Sequence, residues 1–181
     1  MTWNSYHRRG EVLAAVAATA DARRDGLLPT DVAGVAETFR DDLDLLGALQ
    51  LRWHTRLAGR IDRELSGQPL DLEAAVVAAW VATARDLAGV RMVLDRATTE
   101  GAGEEADRML GIAVTKERLV LAAMAGRSSF DDAASAAVGA AIEDRARATL
   151  AAEAAATPRV GAHAAGPRPT LLDRLRAALA A

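Results

Sequence analysis

Apolar residues recur along this chain at three- and four-residue steps, the spacing that puts them on one face of an α-helix. The first such series is Val12, Leu13, Val16 and Ala20. It predicts a helix from Tyr6 or Gly10 to Asp25, capped by Asn4 or Ser5 and stopped at Gly26. Pro29, Thr30 and Gly34 mark a turn with room for one short helical turn. The second predicted helix is the longest, Ala36 to Leu65. Phe39, Leu43, Leu46, Gln50, Trp53, Leu57 and Ile61 form its stripe, and Leu45, Leu49 and Leu65 widen it. A stripe that wide faces more than one neighbour, which predicts the central helix. Gly67 and Pro69 end it.

Asp71 caps a third predicted helix that turns Leu72, Val76, Trp80 and Leu87 inward and stops at Gly89. A short helix, Val90 to Ala97, presents Val90, Val93 and Leu94. Thr98 to Gly103 reads as a break. The fourth main helix runs from Glu104 to Ala125, with Met109, Leu110, Ala113, Leu119, Val120 and Met124 as core candidates. Gly126 closes it, and Ser128 or Ser129 caps a fifth from Phe130 to Ala156. That fifth helix is alanine-rich, with Val138, Ile142 and Leu150. Small side chains let helix axes approach near the short end of the usual ~8–10 Å range.

Beyond Ala156 the composition changes. Residues 157–169 are rich in Pro and Gly and read as a linker. Thr170 caps a last helix, 170–181, whose Leu171, Leu172, Leu175 and Leu179 form one apolar stripe. So few residues do not hold a helix alone. Its apolar face is expected to dock on this body, on a second copy or on another protein. The expected fold is all-α: an antiparallel bundle of five main helices in residues 1–156, plus the short C-terminal helix.

Composition supports that reading. Of 181 residues, 51% are apolar and 26% charged, which is globular composition for one domain. Alanine, the best helix former, occurs 44 times. Arginine occurs 21 times against a single lysine, Lys116, a bias typical of high-GC coding. The net charge of −3 argues against a dedicated nucleic-acid coat. The absence of cysteine removes disulfides, thiolate metal sites and cysteine nucleophiles. Arg8-Arg9 followed by Val12–Ala22 has the outline of an export signal. Gly10-Glu11 and the charges Asp21, Arg23 and Arg24 suit an ordinary first helix better. With no apolar run of ~18 residues to span a bilayer, the expected location is the cytoplasm.

Candidate chemistry is sparse. No His follows a Glu by three positions, and there is no His-x-x-x-His, so neither a di-iron nor a zinc site is expected. Neither a Gly-x-Ser-x-Gly elbow nor a phosphate- or dinucleotide-binding glycine pattern occurs, and no cofactor is expected. The strongest polar pattern is "LRWHTRLAGRIDREL", where Arg52, Arg56 and Arg60 repeat every four residues with Arg63 beside them. Guanidinium forks on one face suit phosphate or carboxylate. His54 adds a titratable donor and Trp53 a ring, although Trp53 also lies on the core stripe. The opening "TWNSYHRR" repeats these ingredients in Trp3, Tyr6, His7, Arg8 and Arg9. Folded against the second half of the long helix, it would complete one basic site. The structural alternative is a charge-split helix: Glu37, Asp41, Asp42 and Asp44 at one end and the arginines at the other complement the helix dipole and suit antiparallel pairing of two copies.

The order "RRGEVLAAVAATADARRDG", "DLLGALQLRWHTRLAG", "LDLEAAVVAAWVATARDLAGVRMVLDRA", spanning Arg8 to Ala97, resembles TetR-type repressors. That resemblance implies a helical ligand-binding and dimerisation domain. Between Leu28 and Phe39 it lacks a complete turn and recognition helix, so it does not imply major-groove reading. The opening segment is also similar to uncharacterised helical proteins of high-GC bacteria. The leading expectation is a non-enzymatic, homo-oligomeric interaction or adaptor protein. The alternatives are a regulator that binds nucleic acid or an anionic ligand through the arginine stripe and the arm, and a small-ligand sensor with a pocket between Trp53 and Trp80.

Overall fold

A computed structural model describes residues 3–129 and 132–156. These residues form seven helices and no strand: α1 (Trp3–Arg23), α2 (Val35–Thr38), α3 (Asp42–Ser66), α4 (Leu72–Asp86), α5 (Ala88–Glu100), α6 (Glu104–Met124) and α7 (Asp132–Ala156). The protein is an all-α bundle. Residues 1–150 form one compact unit and 151–181 a second, of which the described part is the end of α7. The predicted linker and docking helix, including Leu171, Leu172, Leu175 and Leu179, lie outside the described residues.

Helix α3 packs on α1, α4, α5 and α6, as a wide apolar stripe requires. Leu45, Leu46, Leu49, Trp53, Leu57 and Ile61 are buried along it. The long helix expected from Ala36 is nevertheless two. Phe39 is extended (φ −111°, ψ 139°), and the Asp41 carboxylate accepts the Asp44 N–H at 2.7 Å. A side-chain cap at Asp41 competes with continued helix and wins, so α2 is one turn and α3 begins afresh. Asp71 caps α4 in the same way, accepting from Ala74 N at 2.9 Å.

Three further boundaries differ from expectation. Helix α1 begins at Trp3, so Asn4 and Ser5 lie inside it. Gly89 does not stop a helix; the break is at Leu87, and Gly89 lies in α5. A Cβ on Gly89 would sit 2.1 Å from the Ala20 carbonyl carbon, and its N–H donates to Asp21 Oδ1 at 2.6 Å. The glycine is therefore a crossing point for α1 and α5. Helix α5 runs on to Glu100, and the break is confined to Gly101–Gly103, with φ of 81° at Gly101 and 101° at Gly103. The alanine-rich α7 meets α6 in a close crossing, where a Cβ on Gly139 would lie 1.9 Å from Arg118 O. The expected cap at Ser128 or Ser129 borders residues 130–131, which lie outside the described residues; the Ser129 N–H donates to Ser135 Oγ at 2.8 Å.

The inward face of α6 is also rotated from the predicted one. Ala106, Leu110, Glu117, Leu121 and Ala122 are buried, while Val120 and Met124 are exposed. Val76 and Trp80 of α4 and Leu87 just after it are buried as expected, but Leu72 is exposed. Among the described residues, no helix is long and apolar enough to cross a membrane.

Candidate binding groove and the polar core beneath it

Helix α3 carries two opposed polar systems. One is inside the bundle. Trp53 Nε1–H donates to Glu117 Oε2 at 2.8 Å, and Trp80 Nε1–H donates to Glu117 Oε1 at 3.1 Å. The two rings meet edge to face, with centroids 5.6 Å apart. An indole is electropositive at its edge and electronegative on its face. Both features are met: the carboxylate takes the edges, the Arg91 guanidinium lies over Trp53 at 4.8 Å, and Arg147 lies over Trp80 at 5.1 Å. Asp95 then joins the two cations, accepting from Arg91 Nε at 3.0 Å and from Arg147 Nη2 at 2.8 Å. The result is a closed circuit through α3, α6, α4, α7 and α5. Glu143 extends it, accepting from Arg147 and from Arg118 Nε at 3.1 Å.

Burial pushes the Asp95 carboxyl up, but its bonds to Arg147 and Arg91 outweigh that and hold it below the usual carboxylate range. The same bond to Asp95 is the main cause that raises Arg147. His54 is half-buried, with Nδ1 4.0 Å from Glu117 Oε2. Trp53 and Trp80 are 0% and 1% exposed and in direct contact, so no ligand cavity separates them. The expected sensor pocket is filled by the indoles themselves, and Trp53 is unavailable as a surface stacking platform.

The second system is outside. A groove of about 1240 Å³ runs along the opposite face of α3, walled by α1, the α4–α5 junction and α6. Its floor is small and apolar: Gly10 and Leu13 of α1, Leu43, Gly47 and Leu51 of α3, and Met109 of α6. Leu51 is 67% exposed, and open space lies above Gly47 and Gly59. Six guanidiniums line it, those of Arg9, Arg40, Arg52, Arg56, Arg60 and Arg63, against three carboxylates, Asp44, Asp86 and Glu105. Arg9 and the α3 arginines thus share one groove, although Arg9 meets the first half of α3. It donates to Asp44 at 2.8 Å and to Thr38 O at 3.2 Å, and lies over the Phe39 ring at 4.3 Å. That contact pins α1 to the α2–α3 corner. His7 and Arg8 are exposed and do not line the groove.

The carboxylates of the groove are held by their arginines. Arg9 beside Asp44 draws its carboxyl below the ordinary range. Arg56 Nη2 at 2.7 Å, with Arg60, does the same to Asp86. The Nε atoms of Arg52 and Arg60 are buried without a hydrogen-bond partner. Arg52 and Arg63 form no ion pair among the described residues, so their charges stand unneutralised beside an apolar floor. Among the described residues, no group of three His, Asp or Glu is placed to hold a metal ion.

Glu117, Asp95, Arg91 and Arg147 were not singled out by sequence. The available signal was Glu117 itself, seven residues after Leu110 and four before Leu121, on the line of the buried face. No protein-family model, curated protein or solved structure matches the chain.

Proposed function

We propose that this protein is a non-enzymatic interaction protein that holds an anionic partner along α3. The groove carries this reading: a long apolar floor edged by six arginines, with three carboxylates of which two are already engaged by Arg9, Arg56 and Arg60. Self-association through the same face is less favoured, because an isologous pairing about the middle of α3 brings Arg52 of one copy toward Arg56 of the other.

The test is thermal unfolding of the full chain titrated with poly-L-glutamate and, separately, with oligo-dT. At least one anion should raise the midpoint, less so at high salt. Arg52→Glu with Arg63→Glu should remove the effect without disturbing the ion pairs at Asp86. A midpoint indifferent to every anion would overturn the reading.

A further inference from the structure

The groove's shape narrows the class of partner, on the premise that it is the binding site. The lining residues of α3 run from Leu43 to Arg63, about 30 Å along the helix axis at ~1.5 Å per residue, winding partly around the helix as they go. A compact metabolite fills a concave pocket, whereas a trough of this length matches a polymer. Nucleic acids and acidic peptides are two such polymers that carry negative charge. A single nucleic-acid strand is bound by stacking its bases on aromatic rings. The groove lining has none, and Trp53 points into the core instead. The floor offers the opposite chemistry. Leu43, Gly47, Leu51, Thr55 and Gly59 fall four residues apart, a ridge of two leucines separated and followed by smaller positions. Four-residue ridges receive the ridges of another helix, and the glycines, with nothing above them, permit close approach.

We infer that the α3 groove binds an acidic amphipathic α-helix of a partner protein. Its leucine-type residues, at i, i+4, i+7 and i+11, would seat between Leu43, Leu51 and Met109. Its flanking Asp or Glu side chains would pair with the unneutralised guanidiniums of Arg52 and Arg63.

Two labelled 20-residue peptides of identical Leu, Ala and Glu content test this by fluorescence anisotropy with the full chain. One places leucine at i, i+4, i+7 and i+11, and the other scrambles the order so that no stripe exists. The amphipathic peptide should bind at least about tenfold more tightly than the scrambled one. Gly47→Leu, which fills the floor at an open helical position, and Leu51→Glu, at an exposed one, should each lose about tenfold or more while the far-ultraviolet dichroism stays unchanged. Equal affinity for both peptides, or preference for oligo-dT, would overturn the inference yet leave the anionic-groove reading standing. Binding that survives both floor substitutions would also overturn it. A wild-type dimer in light scattering that Gly47→Leu dissociates would make a second copy the occupant, and the inference would fall. Failure of both peptides and of every anion would overturn inference and reading together.

Discussion

Trp53 donates its indole N–H to Glu117 across 64 positions of sequence, and the bond is buried from end to end. Trp80 shares the same carboxylate, so one acidic side chain satisfies two indole donors from different helices. A buried donor without an acceptor costs about 1–3 kcal/mol. Glu117→Leu orphans both donors and should lower unfolding free energy by about 2–6 kcal/mol. Glu117→Gln keeps one acceptor oxygen and should cost roughly half as much. Urea unfolding followed by tryptophan fluorescence measures both. A loss under about 1 kcal/mol for Glu117→Leu would mean that the circuit does not stabilise the bundle.

The glycines divide by environment and should respond with opposite signs. Gly89→Ala and Gly139→Ala drive a methyl group into the backbone of Ala20 and of Arg118. Both should destabilise, by about 1–3 kcal/mol or more, as overpacking does. Gly47 and Gly59 are helical with open space above. Their replacement by alanine should stabilise by up to about 1 kcal/mol each, the difference in helix propensity. Thermal melts of the four single variants decide it, and a uniform sign would contradict the crossing geometry.

The corner between α2 and α3 rests on one side chain. Asp41→Ala removes the acceptor for the Asp44 N–H and should cost about 1 kcal/mol. Asp71→Ala should cost a similar amount at the start of α4. Chemical denaturation of both variants is the check. Asp41→Asn, which preserves the acceptor, should stay near wild type.

Acid should unfold this protein through its arginine-held carboxylates. Asp44, Asp86 and Asp95 all sit below their ordinary values in the folded state. The unfolded chain therefore takes up their protons first. The stability they contribute is complete above the unfolded value of about 3.9 and is lost as pH falls through the lower folded values. Melting midpoints should hold steady from neutral pH down to about 5 and drop below about 4. Asp95→Asn should lower the midpoint at neutral pH and flatten the acid limb. An unchanged acid limb would remove Asp95 from that role.

Local periodicity determined much of this molecule. The helices, the central place of α3, the caps at Asp71 and the breaks at Gly101 and Gly126 follow from side-chain spacing and backbone freedom, which act over a few residues. The Asp41 cap was written in the same local code, two acids three apart, but an unbroken apolar series masked it. Only the tertiary structure decided the rest. Glu117 falls on the line of the buried face, yet its charge keeps it off any list of core candidates, because the indoles that make its burial tolerable arrive from α3 and α4. Gly89 reads as a helix stop until α1 crosses it, and nothing local marks Gly139 as the place where α6 crosses α7. The arginine stripe was visible from Arg52 to Arg63. Which guanidiniums are neutralised and which remain free depended on Asp86 and Asp44 being brought alongside, a pairing between distant segments that no local spacing encodes.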